Sequence, residues 1–122
     1  MIKLAAQLLN RWTTFFSMEY QHTPVLLKEV LAILQPHKGQ RFIDATLGSG
    51  GYTMALAQVV GPTGLIVSFD LDPLAITNAH HQLSQKNINN VLLINDNFAN
   101  LSQDLKERGI NGPFNGLVLD LG

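Results

Sequence analysis

The stretch Arg41-Phe42-Ile43-Asp44-Ala45-Thr46-Leu47-Gly48-Ser49-Gly50-Gly51-Tyr52 constrains the fold more than any other part of the chain. Phe42 to Ala45 reads as a short buried strand, and Tyr52 to about Val60 reads as a helix. Between them, glycine lets the backbone take positive φ and removes the Cβ that would hold a ligand off the main chain. The first amide groups of the helix have no intrahelical partner and face whatever lies over the turn. Alone, Gly48-x-Gly50-Gly51 is a weak signal in a chain with ten glycines. Its context strengthens it. A second strand, Leu65 to Asp70, ends in an acid twenty residues beyond Gly50, the spacing at which a carboxylate can accept hydrogen bonds from ribose hydroxyls. The turn therefore points to a nucleotide-like ligand, with a plain strand-to-helix turn of a parallel sheet as the alternative.

The chain beyond this turn alternates regularly. Gly61-Pro62-Thr63-Gly64 breaks the first helix, and Asp72-Pro73 starts a second with proline at its first position. Val91 to Ile94 is a third strand, Asn95 to Phe98 a loop, and a third helix around Leu101 and Leu105 ends at Gly109. Gly116 to Asp120 is a fourth strand. Upstream, Thr23 and Pro24 suit the start of a helix that closes at Gln35-Pro36, and His22 before it is a capping residue or a pocket residue. Strands alternating with helices give an α/β, doubly wound parallel sheet, whose ligands lie beyond the carboxyl ends of the strands. Asp44, Asp70, the Asn95 to Phe98 loop and Asp120 all fall at such ends.

Composition limits the partners. Net charge is −1, so no strong electrostatic footprint for nucleic acid shows at this level. The eight Lys and Arg are scattered from Lys3 to Arg108. With no cysteine, disulfides and thiolate metal sites are excluded, and no metal site is expected. No apolar run approaches the length of a membrane span. Residues 1–18 form an amino-terminal extension in which Leu4, Leu8, Trp12 and Phe15 fall at helical spacing. A transit segment or membrane-surface helix is one reading of it; a start upstream of the domain's own opening at Met18-Glu19-Tyr20 is the other. Residues 19–122 read as the amino-terminal part of a larger domain, because a fourth strand with nothing beside it leaves an uncovered edge.

A dinucleotide fingerprint wants glycine or alanine three residues after Gly50, where this chain has Thr53. That argues against a nicotinamide-dependent oxidoreductase and suits a ligand whose aminoacyl end runs along the glycine backbone, such as S-adenosylmethionine. The blocks His22-Thr23-Pro24-Val25-Leu26-Leu27-x-Glu29, Phe42 to Gly51, Phe69-Asp70-Leu71-Asp72-Pro73-x-Ala75 and Asp120-Leu121-Gly122 follow one another in order. Together they resemble the bacterial and organellar small-subunit (16S) ribosomal RNA methyltransferases that modify cytosine at N4.

The resemblance covers Tyr20 to Gly122 and implies a Rossmann-like class I S-adenosylmethionine-dependent methyltransferase fold, incomplete at its carboxyl end. It implies cofactor contacts at Gly50, Gly51, Tyr52, Asp70, Phe98 and Asp120. The family usually has His where this chain has Tyr52, so a side-chain contact there is less firmly implied than the glycine contacts. Asp70 is expected to accept from the ribose, Phe98 to pack on the adenine, and Asp120 to lie near the cofactor and the incoming base. No general base is assigned. The implied partner is small-subunit ribosomal RNA and the implied compartment the cytoplasm, or an organellar matrix if residues 1–18 are a transit segment. A class I methyltransferase acting on a protein or small molecule, and a cofactor-binding fragment without activity, remain as alternatives.

Overall fold

The computed structural model describes the backbone of residues 2–9, 12–19 and 27–121, and the side chains of residues 27–120. His22, Thr23 and Pro24 lie outside the described residues.

Each apolar run of the alternating region forms the element its pattern predicts. The strands are β3 (Arg41–Asp44), β4 (Leu65–Phe69), β5 (Val91–Ile94) and β6 (Gly116–Leu121). The helices are α1 (Leu27–Leu34), α2 (Gly51–Val60), α3 (Pro73–Gln85) and α4 (Leu101–Glu107), the last entered through a 3-10 turn at Phe98–Asn100. Asp72 caps α3 by accepting the Leu74 N–H at 2.9 Å, with Pro73 in the first turn where its missing donor costs nothing. Pairing is parallel throughout this region, with β3 between β6 and β4 and β5 outermost.

Side chains leave the sheet alternately, and both faces are covered. Phe42, Ile66 and Val118 pack with Val30 and Leu34 of α1 and with Leu56 and Val60 of α2. Ile43, Val67, Phe69 and Ile94 face the opposite layer with Phe114 and the Leu101 and Leu105 side of α4. Burial on both faces explains why these strands read as continuous apolar runs. At the amino ends of the strands, the Asn90 carboxamide donates to two carbonyls at the close of α2, Ala57 O at 2.9 Å and Gly61 O at 2.7 Å.

The amino-terminal extension differs from its sequence reading. It forms two strands rather than a helix: β1 (Ile2–Leu9) and β2 (Trp12–Glu19), paired antiparallel. Leu4 and Leu8 are four residues apart, and four is close to a helical turn but also an even number, so that spacing suits a strand equally well, while Trp12 and Phe15 belong to the second strand. β1 also pairs antiparallel with β6, from Ile2↔Leu121 to Gln7↔Gly116. The edge of β6 that the sequence left uncovered is therefore hydrogen-bonded, and the sheet order is β2-β1-β6-β3-β4-β5.

Candidate functional site

The carboxyl ends of β3, β4 and β6 converge on the glycine turn. Gly48 has φ 53° and Gly50 has φ 88°, left-handed values that favour glycine, and Gly50 forms the start of α2 without any side-chain cap. A Cβ on Gly51 would meet nothing within 4 Å, so the backbone there is open to a ligand. The Gly50 N–H closes the turn by donating to Leu47 O at 2.8 Å.

Beneath the turn lies a buried polar network. The Asp44 carboxylate, fully inaccessible, accepts from Thr53 Oγ1 at 2.7 Å and from the Thr46 N–H at 3.1 Å. Thr53 Oγ1 is also 2.6 Å from Ser68 Oγ on β4. Burial pushes the Asp44 carboxyl up to about 6, against the two hydrogen bonds that pull it down; the charges of Asp120 and Asp70 add a smaller upward push. Thr53 thus occupies the helix–strand contact where a dinucleotide site places glycine, and its hydroxyl is already committed.

Asp70 braces the turn from β4. Its Oδ2 accepts the Gly48 N–H at 2.8 Å and its Oδ1 accepts the Asp72 N–H at 2.9 Å. Each carboxylate oxygen has two lone-pair sites, so acceptor capacity remains on both. A cavity of about 260 Å³ opens beside it, lined by Ala45, Thr46, Phe69, Asp70, Leu71 and the Asp96 to Phe98 loop. Phe98 is 38% exposed, so it is a wall of this cavity and not a core side chain. Asp96 is fixed at the cavity's rim by the Asn97 N–H at 2.7 Å and by the Asn100 carboxamide. The neighbouring Asp104 carboxyl, together with the Asn97 and Asn100 donors, holds Asp96 below the usual carboxylate range, and Asp96 in turn raises Asp104.

A second, smaller cavity of about 90 Å³ is lined by Thr46, Leu47, Gly48, Ser49, Gly51, Tyr52 and Asp120. Tyr52 is only 5% exposed and packs in the α1–α2 core cluster, so little of its ring is offered to a ligand. Asp120 borders this cavity from the end of β6, its main-chain N–H donating to Thr46 Oγ1 at 2.7 Å. The structure therefore gathers Gly51, Tyr52 and Asp120 around one cavity and Asp70 and Phe98 around the other, with Thr46 common to both. Gly50 shapes the turn without lining either. Sequence reasoning passed over Thr46 and Ser68 and used Thr53 only as a departure from a dinucleotide fingerprint, since hydroxyl residues near a glycine turn carry no signal until their partners are known. Among the described residues no cluster of side chains could hold a metal ion.

Comparison with known proteins adds an independent line. Residues 19–122 match the MraW methylase family. The chain is 43% identical over 104 residues to a ribosomal RNA small subunit methyltransferase H of Dehalococcoides mccartyi, a match covering 85% of this chain and 29% of that protein. It spans about a third of the length of the curated relatives it matches. Among solved structures, a Clostridium thermocellum protein described as an rRNA-methylase superposes with TM-score 0.61 at 30% identity, over 69% of this chain and 46% of that one. A Streptococcus mutans protein described as a methyltransferase, solved in complex with SAH, superposes with TM-score 0.55 at 27% identity, over 66% and 46%.

Proposed function

Because the chain belongs to the MraW methylase family, we propose that it forms the cofactor-holding part of an S-adenosylmethionine-dependent methyltransferase. Its substrate is the exocyclic N4 amine of a cytosine in small-subunit ribosomal RNA. One observation carries the reading: an open glycine turn, braced by an acid at the end of the next strand, with a cavity on either side of Thr46.

The residues suit such a cofactor. Phe98 and Asp70 border the larger cavity, an aromatic face for adenine and a carboxylate for ribose hydroxyls. The smaller cavity offers the Gly51 backbone to an aminoacyl end, with Tyr52 and Asp120 beside it. Thr53, held by Asp44 and Ser68, keeps the helix at the distance its side chain requires, which disfavours a dinucleotide pyrophosphate.

S-adenosylmethionine supplies an electrophilic sulfonium methyl when bound. The cytosine amine is a poor nucleophile because its lone pair is shared with the ring, so the residues contribute chiefly by positioning. Asp120, at the tip of β6, is the candidate acceptor for the amine's hydrogen bonds, and its carboxylate would favour the positive charge that develops on nitrogen. Ribosomal RNA as substrate implies the cytoplasm, or an organellar matrix if residues 1–18 direct the chain there. Among the described residues no helix is long and apolar enough to cross a membrane.

Isothermal titration with S-adenosylhomocysteine and with NAD tests the cofactor assignment. S-adenosylhomocysteine should bind and NAD should not; tighter binding of NAD would overturn it. Transfer of tritiated methyl groups to undermodified small ribosomal subunits, by a protein that continues this chain to the length of its relatives, tests the substrate. Label found on a ribosomal protein instead of cytosine N4 would refute that part.

A further inference from the structure

Five residues from four different elements form one hydrogen-bonded chain under the glycine turn. It runs from Ser68 on β4 to Thr53 on α2 (2.6 Å), from Thr53 to Asp44 on β3 (2.7 Å), from Asp44 to the Thr46 N–H (3.1 Å), and from Thr46 Oγ1 to the Asp120 N–H on β6 (2.7 Å). Ser68, Thr53 and Asp44 are completely inaccessible, so the chain is anchored in the core and emerges at Asp120. Residue-by-residue pairing of β3 with β6 ends at Asp44↔Val118. The Thr46 hydroxyl joins the two strands again beyond that point, where the main chains diverge towards the two cavities.

We infer that Thr46 is a positioning residue, fastening the main chain of Asp120 to the floor of the glycine turn and so setting the wall of the smaller cavity. This rests on the cofactor reading above, in which the aminoacyl end lies in that cavity and the adenosine end in the larger one. Thr46 acts through Asp120 and through the Asp44 carboxylate that orients its own backbone. Removing the hydroxyl takes the Thr46 acceptor from the Asp120 N–H, so that beyond Val118 the end of β6 is held from the β1 side and no longer from the glycine turn. The larger cavity depends on Asp70, which is braced independently by the Gly48 and Asp72 N–H groups. Thr46 lines the larger cavity as well, but contributes no brace to Asp70 there, so loss of the hydroxyl should weigh more on the aminoacyl end of the cofactor than on the adenosine end.

Two ligands separate these ends. S-adenosylhomocysteine spans both cavities, whereas methylthioadenosine lacks the aminoacyl group and needs only the larger one. Thr46→Val, nearly isosteric and so keeping the bulk that Thr46 presents to the larger cavity, should bind S-adenosylhomocysteine roughly tenfold more weakly, the scale of one lost hydrogen bond, and should weaken methylthioadenosine by clearly less. Thr46→Ser should restore S-adenosylhomocysteine binding, and amide exchange at Asp120 should accelerate in the valine variant only. If Thr46→Val does not fold, Thr46→Ala replaces it, with the larger weakening again expected for S-adenosylhomocysteine. Equal weakening for both ligands would show general loosening of the turn and overturn the inference, as would unchanged S-adenosylhomocysteine binding. Should the wild-type chain bind methylthioadenosine but not S-adenosylhomocysteine, this inference falls and the adenosine half of the cofactor reading stands. Binding of neither by the wild type would remove both.

Discussion

Asp44 offers the most direct physical test of the site, because a fully buried carboxylate makes stability depend on pH in a direction opposite to an ordinary salt-bridged acid. Its folded-state pKa is raised from 3.8 to about 6. The folded chain therefore holds the proton more tightly than the unfolded chain does. The stability this contributes is fully present below about 3.8 and is lost as pH rises through about 6. At about 1.4 kcal/mol for each pH unit, the loss amounts to about 3 kcal/mol. Asp44→Asn keeps the shape and removes the titration. Its carboxamide oxygen can accept the Thr46 N–H, and its nitrogen can donate to Thr53 Oγ1, whose hydroxyl then donates to Ser68. Urea unfolding followed by far-ultraviolet circular dichroism, for both proteins across the acidic to neutral range, isolates this residue because the remaining carboxylates are shared. The wild type should lose about 3 kcal/mol relative to the variant between the acid and neutral ends, with equal m-values. A difference that stays constant with pH would refute the argument that burial dominates over the two hydrogen bonds.

Asp70→Ala should weaken S-adenosylhomocysteine binding roughly ten- to a hundredfold by titration calorimetry, with Asp70→Asn weaker in effect, because the ribose loses a charged acceptor. The alanine variant should also melt at lower temperature, since the Gly48 and Asp72 N–H groups lose their acceptor; an unchanged dissociation constant would remove Asp70 from the site. Thr53→Val should cost about 1–3 kcal/mol in urea unfolding at neutral pH, as the buried Asp44 carboxylate loses a donor; no change would mean that water or another group replaces the hydroxyl. Gly64→Ala should destabilise by about 1–3 kcal/mol in thermal melts. Its Cβ would stand 2.6 Å from the Gln40 carbonyl and 2.5 Å from Val60, so a neutral result would show that this backbone yields more easily than packed interiors do.

What was legible in the sequence is what local chemistry determines. Pro73 after Asp72 marked the start of α3, the apolar runs marked β3 to β6, and the acids at their ends marked the edge of the sheet where the two cavities beside Thr46 open. The contacts that remained hidden join residues far apart in the chain. Thr46 meets Asp120 across 74 positions, and Asp70 reaches Gly48 across 22, so neither partner could be read from its neighbours. Asp70 was read as a ribose acceptor from its spacing alone, which gave no sign of the brace it provides to the turn. The strands at residues 2–9 and 12–19 were missed for a similar reason. A strand is completed by its partner, and the partner of β1 beyond its own hairpin is β6, at the other end of the sequence.

The carboxamide of Asn90 has a consequence for the order in which this region comes apart. Helices usually fray from their ends, because the last carbonyls have only water or a local cap to hold them. Here the Gly61 N–H returns to Ala57 O at 3.2 Å, and Asn90 holds both the Ala57 and Gly61 carbonyls from 33 and 29 positions away. Asn90 itself immediately precedes β5, and its own carbonyl accepts the Ile66 N–H at 3.0 Å, so the same residue pins a strand edge and a helix end. Unwinding the last turn of α2 therefore requires the entry to β5 to be released, and stripping β5 from the sheet strands the two carbonyls of α2. Helix and outer strand open together as one unit of local unfolding.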